Sequence, residues 1–465
     1  VSHAIDTADN AGAKIARYAA SYAEQRLPAD ALHAARRALL DTHACAIAGL
    51  REDAVRIATR YVEPLAVMVS ATGTAKGAAK GMAKLWGQDR YLPAEAAAFC
   101  NGVAAHVLDY DDVMTPMRAH VSATLVPALA ALAPSVDADM TRFAIAYVAG
   151  FEVMAKFARA MALPHYTKGW HSTSALGVLG TTVACGVLLG LDTSAQQHAL
   201  GLAVAQASGT RQNFGAMAKS FQSAHCAAAA VRAAVLASLG MTAADDAIDG
   251  KYGYMSLYAA GEDLTSVLDT LGREPLEITA IGIDVKKYPC CYALHRGIDA
   301  MLALRAEHGL TPDQVDRVHV LTSTGGLQAL ITALPEDGLQ AKFSMEYGMA
   351  CALLDGSVGL ASFTDDAMRR PAIQALMPRV SITEASGSIL PRWSEITLTL
   401  RDGTEVRRRV VIARGDAGDP LSDAELVDKA RGCYAYGGIA IDGTRHAQAL
   451  LGLTNEPIEP WLNAI

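Results

Sequence analysis

Charge, aromatic rings and paired cysteines are all scarce in this sequence, and each scarcity removes a class of protein. Charged residues make up 19% of the 465 positions and hydrophobic ones 51%, so the buried fraction is large. The length exceeds one ordinary core, and two domains are expected. Aromatics are only 6%. Small apolar side chains must fill the interior, which favours closely packed helices over a β-sandwich. There is no basic surplus: 48 acidic residues face 40 basic ones, a formal charge of −8. A nucleic-acid partner is therefore not expected, because nothing is left over to neutralise phosphates. The eight cysteines form no CxxC pair. Most stand in apolar runs, as small core residues do, and a reducing cytoplasm is expected. No zinc spacing of the HExxH kind occurs, no GxGxxG dinucleotide fingerprint and no GxSxG elbow. No metal is expected. The N-terminal "VSHAIDTADN" lacks the pattern of a signal peptide. The longest uncharged run, Ser172 to Leu191, is long enough to span a bilayer. Its internal glycines and threonines and its missing aromatic belt fit a buried helix instead, and no membrane association is expected.

What is present is helix after helix. Up to about Gly261, apolar residues recur at three- and four-residue spacing, as in "PADALHAARRALLDTHACAIAGL", which starts after Pro28 and stops at Gly49. Gly177, Gly180, Gly186 and Gly190 permit close helix packing. In "SATGTAKGAAKGMAKLWGQ" glycines and lysines alternate. Without the GxxxxGK[ST] pattern this reads as a basic surface loop rather than a phosphate cradle. Near residue 270 the character changes. "VDRVHVLTST", "RVSITEA" and "EITLTLRDGTEVRRRVVI" alternate like strands, with a hairpin turn at Asp402-Gly403. Helices are expected from Tyr292 and over "SMEYGMACALLDG". After Asp419 helical signals return, opened by the capping-box spacing Ser422-x-x-Glu425. The expected fold is mainly α: an all-helical domain from residues 1–268 and 414–465, with an α+β lid domain inserted at 269–413.

Four polar clusters need explaining. "HVLDYDDVMTPMRAH", His106 to His120, concentrates three aspartates, two histidines and Arg118 in an apolar background. Pro116 disfavours helix at Thr115, so the helix begun near Pro93 should end within "DYDD". Asp111 or Asp112 is expected to cap the next helix, whereas Asp109 needs a partner if buried. "HYTKGWHSTSALG" places His171 before the uncharged helix. "GTRQNFGAMAKSFQSAHCAAAA" carries Arg211, Lys219 and His225. "VKKYPCCYALHRGIDA" carries Lys287 and His295. Arginine, lysine and histidine together suit proton transfer beside a substrate carboxylate.

The sequence resembles the MmgE/PrpD family. The resemblance rests on "NGVAAHVLDYDD", "WHSTSALGVLG", "FGAMAKSFQSAHCAAAA", "KKYPCCYALHRGIDA" and "FSMEYGMACALLDG", in that order along the chain. The family includes 2-methylcitrate dehydratase, cis-aconitate decarboxylase and iminodisuccinate epimerase. It implies a helical domain with an α+β lid, a homodimer, no required cofactor, and an active site between the domains. Carried over residue by residue, it implies Asp109, His120, His171, Lys219 and Tyr347 as catalytic residues. Arg118, Arg211, His225, Lys287 and His295 are the substrate-binding candidates. Val113 stands where the decarboxylase branch has threonine, and Gln222 where many relatives have histidine.

The expected activity is proton abstraction α to a carboxylate of a small polycarboxylate, without a cofactor. An iminodisuccinate-type epimerase is the leading form, then a dehydratase, then a decarboxylase. A non-catalytic helical scaffold is the rival of a different class. It requires the polar clusters to lie scattered on the surface.

Overall fold

The structure is a computed structural model describing residues 10–22, 25–68, 81–259, 264–331 and 333–465. Residues 70–80 of the glycine–lysine stretch lie outside the described residues. The protein is mainly helical, and its buried apolar side chains form two clusters. The first runs from Ala11 to Val285 and resumes at Leu421. The second runs from Tyr288 to Leu398. The change of core thus falls between Val285 and Tyr288, later in the chain than residue 269, because Leu276, Ile278 and Val285 pack with the helices.

The first core is a stack of helices: Ala29–Gly49, Ala94–His106, Ser122–Leu132, Met140–Thr167, Gly177–Leu189, Thr193–Val204 and Ala218–Ser238, joined by Asp423–Gly437 from the far end of the chain. Small residues set their spacing. A Cβ on Gly102 would fall 2.9 Å from the Cα of Ala224. Ala94–His106 and Ala218–Ser238 therefore touch backbone to backbone. The uncharged run is not one helix but two pieces, Ser172–Ala175 and Gly177–Leu189, and Gly190 ends it in the left-handed conformation. By length and composition it could cross a membrane, yet 94% of the residues from Ser172 to Leu189 are buried within the protein. The returning helix Asp423–Gly437 opens with the expected capping box of Ser422 and Glu425. It is tied down by the buried ion pair Lys429–Asp41 at 2.6 Å.

The second core holds a four-stranded sheet in the order Val380–Glu384, Val315–Thr322, Ser394–Leu400, Glu405–Val410. The first pair is parallel and the others antiparallel. Ser394, Ile396 and Leu398 are buried in alternation, which is the period-two face the sequence shows. Helices Tyr292–His308 and Met345–Asp355 pack together beside it. A small sheet of Val67–Met68, Arg90–Pro93 and Met82–Lys84 adjoins the helical core. Its strands are too short to show periodicity in the sequence.

Candidate active site

Where the two cores meet, a cavity opens to solvent. Its inner wall comes from the helical part: Asp109, His120, His171 and Lys219. The facing wall comes from the α+β part and includes Cys291, Tyr292, Phe343 and Arg392. A lining that mixes charged, imidazole and aromatic side chains suits a small polar ligand.

The local chain explains why these side chains converge. Helix Ala94–His106 ends at His106, earlier than the "DYDD" expected from Pro116. Asp109 then takes a left-handed turn at φ 53. Aspartate tolerates this conformation better than most residues, and the turn carries its carboxylate into the interior. Asp112 reaches across the loop to accept from the Ser122 N–H at 3.3 Å, serving the start of Ser122–Leu132 as a cap. Lys219 lies in the first turn of Ala218–Ser238. The helices of His106 and Lys219 run antiparallel, and the Gly102–Ala224 contact brings their facing ends together.

Asp109 Oδ1 is the hub. Lys219 Nζ donates to it at 3.0 Å, Lys286 Nζ at 2.8 Å, and His120 Nε2 lies 3.3 Å away. Burial alone would raise this carboxyl, but the two lysines and His120 hold it well below the usual carboxylate range. Asp111 is in the same position: burial opposes ionisation, and His106 and His120 overcome it. Asp111 Oδ2 accepts from His106 Nδ1 at 2.9 Å. That fixes the tautomer, so His106 Nε2 carries a lone pair and accepts from Lys219 Nζ at 3.0 Å. A hydrogen-bonded chain therefore runs from Asp111 through His106 to Lys219, whose remaining N–H is free for the cavity.

His171 is set by a different device. The Gln222 amide oxygen accepts from the Thr210 N–H at 2.6 Å, and its Nε2 donates to His171 Nδ1 at 3.0 Å. The imidazole must then carry its proton on Nε2. That atom is buried without a partner and stands ready to donate to a ligand. Burial, with Lys219 next in effect, pushes His171 well below the usual imidazole range. Burial likewise lowers His120 to about 4. Both rings are neutral near pH 7.

His106, Asp109, Asp111 and His120 also place ligand atoms within 4.8 Å of one another, close enough to suggest a cation. Two ammonium groups already crowd the shared Asp109 oxygen, and both nitrogens of His106 are engaged. A metal ion would have to displace Lys219, so the cluster is built to hold protons.

Other sequence candidates are placed elsewhere. Tyr347 is buried in the second core, where its hydroxyl donates to the Ser362 carbonyl, and it does not line the cavity. His295 packs behind the wall against Tyr288 and Tyr292, with Nε2 3.4 Å from the Cys290 carbonyl. His225 faces a separate groove and stacks on Phe221. Lys287 points outward, 3.7 Å from Asp299; its neighbour Lys286 holds Asp109. Arg211 lies outside the cavity, its guanidinium 4.0 Å over the Tyr166 ring. Arg118 lines the cavity as expected. Lys286 and Arg392 are the residues that sequence reasoning missed; His106 stands in the first polar cluster, but the sequence assigns it no role.

Residues 13–266, more than half of the chain, match the MmgE/PrpD N-terminal domain, and residues 288–445 match the MmgE/PrpD C-terminal domain. The chain belongs to the MmgE/PrpD family. The border between the matches, from 266 to 288, ends where the core changes. Among curated relatives, the cis-aconitate decarboxylase of Homo sapiens is 28% identical over 85% of this chain and 82% of its own length. That of Mus musculus is 29% identical over 75% and 73%. That of Aspergillus terreus is 25% identical over 90% and 88%. These relatives shift the weight away from the expected epimerase and toward the decarboxylase alternative.

Proposed function

We propose that this MmgE/PrpD enzyme is a lyase that decarboxylates a small unsaturated tricarboxylate of the cis-aconitate type. One observation carries the reading: Asp109, His120, His171 and Lys219, drawn from three separate segments, converge on one cavity, and the relatives sharing most of the chain are cis-aconitate decarboxylases. A scaffold would leave those clusters dispersed. An epimerase needs an acid/base group on each face of one carbon, and the relatives offer it no support.

In the proposed reaction the bond between the methylene carbon and its carboxylate breaks and carbon dioxide leaves. The bond's electron pair becomes the new carbon–carbon double bond. The electrons of the old double bond take a proton at the far alkene carbon, giving methylenesuccinate. Lys219 donates that proton from an ammonium oriented by Asp109 and by the His106 lone pair, and it takes up a new proton from solvent once product leaves. The Nε2–H of His171 holds a substrate carboxylate, and Lys286 keeps Asp109 ionised and in place. Such acid–base steps contribute about 100- to 10,000-fold. Carbon dioxide released from cis-aconitate by the purified protein tests the reading. One equivalent per substrate consumed is expected, and consumption without carbon dioxide would replace decarboxylation by hydration or isomerisation. We further propose a homodimer, measurable by sedimentation against the 48.7 kDa chain. We also propose a cytoplasmic, reducing setting, which rests on eight cysteines that are all buried and unpaired.

A further inference from the structure

The cavity has in its lining a pair of positive charges that the Asp109 cluster does not explain. Arg118 lines it from the helical part and Arg392 from the loop before strand Ser394–Leu400 of the α+β part. Other arginines nearby are engaged: Arg296 donates to the Val411 carbonyl and to Asp416, and Arg211 to the carbonyls of Tyr166 and Gln328. Arg118 has a single neutral partner, Gln328 Oε1 at 2.9 Å, and lies 5.1 Å over the Tyr166 ring. Among the described residues neither Arg118 nor Arg392 meets a carboxylate. Both are half-buried. Burial and the charge of Arg392 push Arg118 down to about 10. The backbone of Arg118 is itself held in the left-handed region at φ 54, which is unusual for arginine. Two like charges kept together without a counter-charge, one of them on a strained backbone, are a site waiting for an anion.

We infer that Arg118 and Arg392 together grip one carboxylate of the substrate, the one remote from Lys219, and so set specificity for a polycarboxylate with an acid group at each end. The inference rests on reading the cavity as a polycarboxylate site. A carboxylate has two oxygens and can accept from two guanidinium forks at once. Because the arginines come from different parts of the fold, that carboxylate also bridges the two cores, turning mutual repulsion into a clasp between them. A ligand lacking it would leave two desolvated cations facing each other and would bind poorly.

The test is a double-substitution cycle on the full-length protein, read as the Kd of propane-1,2,3-tricarboxylate, a saturated probe that cannot react, by titration calorimetry. Arg118→Gln and Arg392→Gln should each weaken binding at least about 10-fold, the size of one charge-assisted contact. The double variant should lose far less than the product of the two, because both side chains serve one carboxylate. Arg392→Lys should recover part of the loss, and it also serves if the glutamine variant does not fold. Single variants that bind like the wild type would overturn the subsite. So would fully multiplicative losses, or a wild type that does not bind the probe. Failure of the decarboxylase reading is a separate result: the probe binds and the variants weaken it, but cis-aconitate yields no carbon dioxide.

Discussion

His106 Nε2 faces Lys219 Nζ at 3.0 Å, across the ends of two antiparallel helices that touch at Gly102 and Ala224. The contact is chemical at one end and steric at the other. The close approach of the backbones sets how closely the His106 lone pair holds the Lys219 ammonium.

Lys219→Met should lower turnover at least about 100-fold while the protein stays folded, in line with the usual contribution of a positioned acid. Lys219→Arg separates roles. Guanidinium keeps the positive charge but does not release a proton near neutral pH, so arginine should restore binding of a tricarboxylate without restoring turnover. Steady-state kcat and KM of both variants check this. Recovery of kcat in the arginine variant would reassign Lys219 to binding.

Asp109→Asn should destabilise the protein by about 3–5 kcal/mol, because two buried lysines lose their counter-charge. Asp109 is 3% exposed and Lys286 fully buried, so solvent does little to soften the loss. The pH dependence has a definite sign. A carboxyl held below its ordinary 3.8 contributes its stability above that pH and loses it as pH falls further. The gap in urea-unfolding free energy between wild type and variant should therefore be full near pH 6 and narrow below about 3.8.

Binding of a tricarboxylate near pH 7 should take up protons. His120 is held at about 4 in the free protein, by burial first, so its ring is neutral. A polyanion placed beside it favours the imidazolium and raises that value. Calorimetry in buffers of different ionisation heats should report uptake of a fraction of a proton at pH 7, diminished in His120→Gln. Proton release, or uptake unchanged in that variant, would remove His120 from the linkage.

Gly102→Val should be costly although position 102 contacts no ligand. Its side chain would press on the Ala224 backbone, an overpacking worth about 1–3 kcal/mol. It would also part the helices that place His106 and Lys219. A lower melting temperature is expected, together with a fall in kcat larger than the rise in KM.

Much of the architecture was legible because helices and strands of this chain keep their periods. The span Ala29–Gly49, the helix from Tyr292, the hairpin at Asp402-Gly403 and the capping box at Ser422 all stand where the residues place them. The change of core was misjudged because Leu276, Ile278 and Val285 belong to a loop-rich stretch whose packing partners are far away in sequence. In the site, Asp109, His120, His171 and Lys219 stand out as polar residues in an apolar background, and the family resemblance names them together as pocket residues. Lys286 was not distinguishable from Lys287, since two adjacent lysines carry no period to say which turns inward. His106 was hidden as the end of a helix, and Arg392 by an aperiodic loop. Tyr347 went the other way: the family resemblance suggested the pocket, but its hydroxyl is satisfied by Ser362 inside the second core.

Proton NMR of cis-aconitate turned over in deuterium oxide tests the central claim most directly. Lys219 exchanges its protons with solvent, so the account predicts methylenesuccinate with one deuterium on its saturated methylene carbon and none on the new alkene. Recovered tricarboxylate with an exchanged α-hydrogen and intact carbon skeleton would contradict it. So would a hydrated product, or methylenesuccinate free of deuterium.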